Sequence, residues 1–198
     1  MSPPMGHRED LLDGAADCLY TKGFGRTTAR DVVAVSGTNL ASIGYHFGSK
    51  DALLTEAAVR GAGEWSQALD AALGRVDPGA SPDERVEQAW SAIVELFRTD
   101  RKLWTTYVES LAEAARSPRL HDALVGAQRE SREELASMFH ALPEDAAEAD
   151  RHARVLGGFY QSLLTGLMVQ WVLDPDTAPT GAEVAEAIRV LVGSAELA

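Results

Sequence analysis

An all-α fold is predicted by three features of this 198-residue sequence. Apolar residues recur at helical spacing, as Leu12, Ala15 and Leu19 do near the start of the chain. Alanine is abundant and runs of β-branched residues are few, which disfavours strands. Short segments containing glycine, proline or aspartate separate the periodic runs. The length allows one or two domains with a sizeable core.

The positions of apolar and helix-breaking residues predict nine helices. The predicted breaks are Gly23, Ser36-Gly37, Phe47-Gly48, the loop Asp77–Pro82, Leu142-Pro143 and Asp174–Asp176. The first predicted helix is His7–Lys22, and the second lies between a cap at Thr27 or Thr28 and the break at Ser36-Gly37. The next six are Asn39–His46, Ser49–Val76, Pro82–Arg98, Asp100–Arg116, Pro118–Ala141 and Ala146–Leu173, and the last runs from Thr180 or Gly181 to about Ala195. Ser81 is expected to cap the helix that begins with Pro82.

Residues 27–50 have the pattern of a helix-turn-helix, which is two short helices joined by a glycine-containing turn. Candidate caps are Thr27 or Thr28 for the first helix, Thr38 or Asn39 for the second and Ser49 for the long helix that follows. Apolar spacing predicts that Val32, Val33, Val35, Ile43 and Phe47 face inward. The turn between the two helices contains Gly37, which can adopt the left-handed backbone of a helix end.

The second of these helices is expected to carry small or hydrogen-bonding side chains on its outer face. These residues are Asn39, Ala41, Ser42, Tyr45 and His46. Such side chains suit close approach to base edges and phosphates, and the second helix of a helix-turn-helix fits the major groove of DNA. The pattern alone leaves open a helical hairpin that contacts no nucleic acid.

Five short motifs follow one another in the first quarter of the chain: Leu11–Phe24, Thr27-Thr28, Ser36-Gly37, Tyr45–Phe47 and Gly48–Lys50. Their combination and ungapped spacing resemble the DNA-binding domain of the tetracycline-repressor (TetR) family. Two positions depart from that family, since Gly44 stands where a tyrosine is usual and Gly14 where an alanine is usual. The resemblance implies a helix-turn-helix domain over residues 1–54 and a ligand-binding and dimerisation domain over residues 55–198.

The resemblance also implies a homodimeric repressor that binds a near-palindromic double-stranded DNA operator. Half-sites would be spaced by roughly 34–36 Å or a multiple of that distance. The expected base contacts are Asn39, Ala41 and Ser42, and the expected phosphate contacts are Thr28, Arg30, Tyr45, His46 and Lys50. No cofactor and no metal ion are expected.

Aromatic residues of the C-terminal part could line a cavity for a small, mostly hydrophobic effector, which the resemblance places among these helices. The candidate ligand contacts are Trp65, Trp90, Phe97, Trp104, Tyr107, Glu109, Gln128, Phe159 and Trp171. Ligand sites are mostly apolar and contain a few well-placed polar groups, as this set does. An aromatic stripe at helical spacing also occurs in ordinary cores, so each of these residues has a packing interpretation.

The last two helices are expected to form the dimer interface. Gly158, Ser162 and Gly166 recur every four residues and would allow close helix approach. A helix that is apolar nearly all round is buried on both sides, so one side can meet its own core and the other a partner. The candidate interface residues are Gly158, Phe159, Ser162, Gly166, Val169, Ile188 and Leu191.

The net charge of −12 is unusual for a DNA-binding protein, because phosphate neutralisation drives affinity. Residues 1–55 carry five Lys/Arg and six Asp/Glu, so a net charge of −1 lies in this part and −11 in the remainder.

The single cysteine, Cys18, is expected to be buried and to form no internal disulfide, which fits a cytoplasmic protein. Val155–Leu173 lacks charges but contains glutamines and glycines, so no membrane span is expected.

No catalytic motif is present in the sequence: there is no dinucleotide fingerprint, phosphate loop, HExxH motif or Cys/His zinc spacing. The chain is therefore expected not to be an enzyme. Two other classes remain open at this stage. One is a helical protein that binds a small molecule or a partner without binding an operator, and the other is an all-α enzyme that uses an aromatic cavity.

Overall fold

All regular secondary structure in the computed structural model, which describes residues 4–139 and 145–195, is helical, and this confirms the all-α prediction. The helices are α1 (Pro4–Lys22), α2 (Ala29–Ser36), α3 (Leu40–Phe47), α4 (Lys50–Leu73), α5 (Pro82–Thr99), α6 (Arg101–Ala114), α7 (Pro118–Phe139), α8 (Ala146–His152), α9 (Gly158–Leu173) and α10 (Gly181–Ala195). A π-helical turn, Ala153–Gly157, joins α8 to α9.

The observed helices follow the predicted ones closely. The fourth helix ends at Leu73, one turn earlier than predicted. Ser81 caps α5 as predicted, because its hydroxyl accepts a hydrogen bond from the Glu84 amide at 3.3 Å. The predicted break at Leu142-Pro143 lies outside the described residues. Within the described residues, no helix is both long enough and apolar enough to cross a membrane.

The chain divides into two compact units. The first unit contains the described residues up to Glu64 together with Lys102–Glu130. The second contains Trp65–Arg101 and the described residues from Ser131 onward. This division follows compactness alone, and the functional boundary predicted between residues 54 and 55 stays a prediction.

In the first unit, α1, α2, α3 and the start of α4 enclose one apolar core to which α7 also contributes. Leu53 and Leu54, which follow the helix-turn-helix, are fully buried. Leu120 and Leu124 of α7 belong to the same core, although they are distant in sequence. Full burial of a leucine side chain stabilises the fold by about 1.5–3 kcal/mol. Cys18 is buried in this core as predicted, and desolvation by burial raises the pKa of its thiol.

Charged side chains link α1 to α4 at the surface of the first unit. The Arg60 guanidinium lies 2.6 Å from the Asp13 carboxylate and 3.6 Å from that of Glu9. Arg8 pairs with Glu56 and stands over the Phe47 ring, 5.2 Å from its centroid. Exposed ion pairs contribute roughly 0–1 kcal/mol each, so these links mainly orient α1.

In the second unit, α5 packs against α9 and α10. The first residue of α10, Gly181, lies directly against the backbone of Ser91 in α5, where no Cβ atom would fit. Aromatic rings are stacked in pairs, with centroid distances of 6.1 Å for Trp90–Phe139, 4.3 Å for Phe139–Tyr160 and 6.4 Å for Trp65–Phe97. Burial raises the pKa of the Tyr160 hydroxyl, which keeps it neutral.

The π-helical turn places Gly157 against the carbonyl group of Arg132 in α7. A few residues further along, Arg132 Nε donates a hydrogen bond to Gln161 Oε1 at 2.8 Å. Continuous helical spacing predicted one α-helix across Ala146–Leu173, and the π turn is the one irregularity observed in it. Such turns widen a helix locally and are rare outside functional or strained positions.

Candidate nucleic-acid interface

The two threonines before α2 have different roles in the structure. Thr28 is exposed and caps α2, because its hydroxyl accepts from the Asp31 amide at 3.2 Å while its own amide donates to the Asp31 carboxylate at 2.8 Å. Thr27 is buried, and its hydroxyl donates to the Gly23 carbonyl at 2.8 Å. The sequence left the cap open between Thr27 and Thr28, and the structure shows that it is Thr28.

Asp31 is the centre of a small polar cluster at the start of α2. Lys22 Nζ lies 2.5 Å from Asp31 Oδ1. The hydrogen bond from Lys22, followed by those from Thr28, lowers the pKa of Asp31 from 3.8 to about 2. The carboxylate thus stays ionised at neutral pH and holds Lys22, Thr28 and the first turn of α2 together.

Asn39 is the cap of α3, since its side-chain oxygen accepts from the Ser42 amide at 3.1 Å. The turn before it contains Gly37 with a φ of 66°, and α3 ends at Gly48 with a φ of 77°. Both values lie in the left-handed region that favours glycine. These local features set the length of α3 at both ends, as the sequence predicted.

The outer face of α3 is defined by Asn39, Ala41 and Tyr45, with His46 at its edge. Tyr45 is 81% exposed, and its ring meets the His46 ring edge-on at a centroid distance of 4.8 Å. Ile43 faces the core as predicted. At about 100° per residue, Ala41 and Tyr45 lie roughly 160° around the helix from Ile43. Their side chains therefore project away from the first unit.

Two orientations predicted for this region are wrong. Ser42 is only 8% exposed, so it faces the core and is not available for the base contact expected of it. Val35 is 54% exposed in the last turn of α2, although the spacing placed it inside. Leu40 is half exposed beside the outer face, which sequence spacing did not indicate. Helical periodicity gives relative angles, whereas burial depends on which sides neighbouring helices cover.

The two predicted phosphate-binding cations differ in their surroundings. Arg30 is exposed on α2. Lys50 is half-buried at the start of α4, where its Nζ atom donates to the Thr27 carbonyl at 3.0 Å and pairs with Asp51 at 3.1 Å. Lys50 thus ties the start of α4 to the residue before the α2 cap, a brace that the sequence did not predict. The ammonium group has three N–H donors, so this brace leaves a donor for a phosphate.

The two glycines that depart from the TetR pattern occupy contrasting positions. A Cβ atom on Gly14 would lie 2.8 Å from Ser36 Cβ and 3.1 Å from the Val32 carbonyl oxygen, so α1 and α2 approach closely there. A Cβ atom on Gly44 would meet no heavy atom within 4 Å. The close packing of α1 on α2 therefore explains the glycine at Gly14, whereas nothing in the structure explains the glycine at Gly44.

The nine predicted ligand contacts divide between the two compact units. Trp104, Tyr107, Glu109 and Gln128 belong to the first unit, and Trp65, Trp90, Phe97, Phe159 and Trp171 belong to the second. The Glu109 carboxylate lies against Gly23. Trp90 and Phe97 are buried in stacked pairs, so both contribute to packing. A ligand contact by any of the nine residues stays a prediction.

The predicted dimer residues lie partly on open surface in the second unit. Phe159 is 55% exposed on α9 and Leu191 is 66% exposed on α10. Cβ positions on Gly158 and Gly166 meet no heavy atom within 4 Å, so the small-residue stripe of α9 is uncovered. Further exposed apolar side chains belong to Val155, Leu173, Val190 and Val192. A dimer contact by these residues stays a prediction.

Comparison with known protein families gives two matches. The sequence profile of the tetR family of bacterial regulatory proteins matches residues 11–57. The profile of the BetI-type transcriptional repressor C-terminal domain matches residues 82–193. Together the two profiles span the helix-turn-helix and most of the helices that follow α4.

Individual proteins are similar along much of the chain. The HTH-type transcriptional repressor AcnR of Corynebacterium efficiens is 28% identical over 133 residues, which is 64% of this chain and 71% of AcnR. A transcriptional regulator of Pseudomonas aeruginosa PAO1 shares the fold with a TM-score of 0.73 at 23% identity, covering 98% of this chain and 92% of its own. The multidrug-binding protein EbrR, solved in complex with proflavin, gives a TM-score of 0.65 at 22% identity over 93% of this chain and 99% of EbrR.

Proposed function

The chain belongs to the tetR family of bacterial regulatory proteins, which are DNA-binding transcriptional repressors that respond to ligands, and from this premise we propose how its own residues bind an operator. The observation that carries the proposal is the outer face of α3. This face projects from a helix whose two ends are defined by the Asn39 cap and by Gly48. An exposed helix of this kind fits the major groove.

The groups on and beside this face divide into two roles. Ala41 and Tyr45 approach the base edges, because they project away from the core, and the exposed cap residue Asn39 does so from the start of α3. Tyr45 thereby takes a base contact in place of the phosphate contact expected from the sequence. Arg30, Thr28, His46 and Lys50 hold phosphates on either side, which fixes the register of the helix on the duplex. Ser42 is excluded from direct base contact by its burial and supports the helix through its backbone amide.

A homodimer would bring two such faces to one operator. The uncovered apolar side chains of α9 and α10 supply the interface, since their exposure in a single chain is costly in water. Two-fold symmetry then requires a near-palindromic operator with half-sites about 34–36 Å apart or a multiple of that distance. Dimerisation is a necessary part of operator recognition in this proposal.

A small molecule bound by the C-terminal helices would release the repressor. The aromatic pairs of the second unit and the proflavin complex of EbrR both support a planar or hydrophobic effector. Such a ligand acts only by binding the DNA-incompetent state more tightly than the DNA-competent one. A coupling of about 1–3 kcal/mol would change operator affinity by roughly 5- to 150-fold. The proposal also includes that the protein is cytoplasmic and catalyses no reaction.

Selection of bound sequences from a random duplex library tests operator recognition. We expect the native protein to enrich a near-palindrome and the Arg30→Gln/Tyr45→Ala double variant to lose that enrichment. Both replaced side chains are exposed, so circular dichroism should show unchanged helix content. Arg75→Gln, an exposed replacement in the turn after α4, serves as the control and should retain the palindrome. No enriched sequence at low salt would leave the helical sensor without operator binding as the better function.

Sedimentation velocity tests the dimer. Phe159→Glu and Leu191→Glu each place a charge on exposed apolar surface of the second unit, and together they should shift the protein from dimer to monomer. Gln67→Glu adds the same charge to an exposed position on α4 and should leave the dimer intact. A dimer that survives both interface replacements would move the interface away from α9 and α10.

A further inference from the structure

A cavity of about 500 Å³, open to solvent on one side, lies in the first unit at the start of α4. Its walls are the turn between α1 and α2, the first residues of α4 and the turn between α6 and α7. The volume falls in the range of about 300–1,000 Å³ that is usual for small-molecule sites. None of its lining residues belongs to the aromatic set of the second unit.

The cavity has an excess of positive charge in a chain whose net charge is −12. Three cations, Lys50, Arg116 and Arg119, line it together with two carboxylates, Asp51 and Glu113. Lys50 pairs with Asp51 at 3.1 Å and Arg116 with Glu113 at 3.7 Å. Arg119 has no ion-pair partner in the part of the chain that the structure describes. The cavity therefore contains one cation that its own carboxylates do not neutralise.

The backbone reinforces this charge. Helices α4 and α7 both begin at the cavity, where Ser49 caps α4 by accepting from the Ala52 amide at 3.1 Å and Ser117 caps α7 by accepting from the Leu120 amide at 3.3 Å. The backbone N–H groups of Asp51 and Arg119 lie in the first turns of α4 and α7, so neither has a carbonyl partner within its own helix. The positive ends of both helices thus add to the field of the three cations.

We propose that this cavity binds a small oxyanion, such as a phosphate or a carboxylate-bearing metabolite. Arg119 would hold it through two parallel N–H donors, which match the geometry of an oxyanion. Arg116 and the spare donor of Lys50 would complete the site. The net positive charge of the lining and the N-termini of α4 and α7 favour an anion over a cationic molecule.

Occupation of the cavity also opposes operator binding, a step that rests on the proposed function. Lys50 lines the cavity and is at the same time one of the proposed phosphate contacts. A bound oxyanion engages the donor of Lys50 that would otherwise reach the DNA backbone. The two anions therefore compete, and the oxyanion acts as a second effector independent of the aromatic residues of the second unit.

Phosphorus-31 NMR with inorganic phosphate tests the site on the full chain without DNA. At constant ionic strength, we expect saturable line broadening with the native protein and at least about tenfold weaker binding with Arg119→Gln, the loss typical of one charge-assisted contact. Arg129→Gln is the matched control, because Arg129 is an exposed arginine of the same helix and unit that does not line the cavity. Equal binding by both variants, or no broadening with the native protein, would overturn the site.

Operator affinity measured in phosphate and in chloride of equal ionic strength tests the competition. Phosphate should weaken operator binding several-fold for the native protein and Arg129→Gln, and should have a much smaller effect on Arg119→Gln, because that variant binds phosphate at least about tenfold more weakly. An operator affinity that is indifferent to phosphate in a protein that binds phosphate would overturn the competition. Loss of operator binding in Arg119→Gln, without phosphate binding by the native protein, would instead assign Arg119 to the DNA backbone. Failure to find an operator would sink the proposed function and leave the phosphate result untouched.

Discussion

Two glycines of the helix-turn-helix, Gly37 and Gly48, lie where helices end, whereas two glycines of the second unit, Gly157 and Gly181, lie where helices approach closely. Gly37 and Gly48 have left-handed backbones, and Cβ atoms on them would meet no heavy atom within 4 Å. Gly157 and Gly181 lie against the backbone of other helices, at Arg132 and Ser91. Gly157 has an ordinary right-handed φ of −61°. Glycine is therefore required at Gly37 and Gly48 by the local backbone conformation, and at Gly157 and Gly181 by contact with a distant segment of the chain.

This difference shows where each region is vulnerable. The helix-turn-helix depends on caps and turns, each worth about 1 kcal/mol, and it can lose one without collapse. The close contacts of the second unit admit no additional atom, because protein interiors are packed as densely as organic crystals. The same glycine-to-alanine replacement should consequently have opposite effects at different positions.

The largest effect is expected for Gly157→Ala. The new methyl group would overlap the Arg132 carbonyl oxygen, a backbone atom that cannot move aside alone. We expect a loss of about 3 kcal/mol in the free energy of unfolding, at the upper end of overpacking effects. Urea denaturation measures this loss. Gly63→Ala in α4, where a Cβ atom meets nothing within 4 Å, is the control and should show no loss. A tolerated Gly157→Ala would mean that α7 and α9 are less closely packed in solution.

A smaller loss is expected for Gly14→Ala, which restores the residue usual in the TetR family. Its methyl group would lie 2.8 Å from Ser36 Cβ, and Ser36 is a small side chain near the end of α2. Overpacking is partly offset by the helix propensity of alanine, so we expect a net loss of about 1 kcal/mol. Thermal unfolding gives this value. Stabilisation would show that α2 shifts to admit the methyl group.

Gly44→Ala should stabilise the protein by about 1 kcal/mol, because the position is helical and open and alanine loses less backbone entropy than glycine. The same unfolding measurement applies, and Gly37→Ala is the contrasting variant. Gly37 is equally open but has a φ of 66°, so alanine there should destabilise. If both replacements changed the free energy of unfolding in the same direction, the positive φ of Gly37 would not be what determines the effect of alanine there.

The smallest effect is expected from Asp31, whose pKa is lowered from 3.8 to about 2. A carboxylate with a lowered pKa contributes stability above its unfolded pKa, and this contribution is lost as the pH falls toward the folded value. The stability difference between the native protein and Asp31→Asn should therefore be constant above about pH 5 and shrink between about pH 4 and 2. Melting temperatures against pH measure it. A difference that stays flat across this range would disprove the role of the hydrogen bonds that Lys22 and Thr28 donate to Asp31.

Local chemistry made the helix-turn-helix predictable. A threonine or asparagine before an apolar run and a glycine after it indicate the ends of a helix whatever packs against it, so both short helices were located from the sequence. The structure then chose Thr28 over Thr27 and Asn39 over Thr38 as the caps. Ser42 and Val35 were assigned wrongly because their burial depends on the helices beside them. The brace from Lys50 to the Thr27 carbonyl spans 23 residues and leaves no trace in helical spacing.

The sequence by itself determined the all-α fold, the ends of the short helices α2 and α3 and the membership of the tetR family, because caps, turns and apolar periods act over a few residues. Only the tertiary structure decided that Leu120 joins the core of the first unit and that Gly157 meets Arg132. It likewise brought Lys50, Arg116 and Arg119 to one cavity. Such contacts join residues far apart in the chain, and their geometry follows from how whole helices pack, which no local pattern encodes.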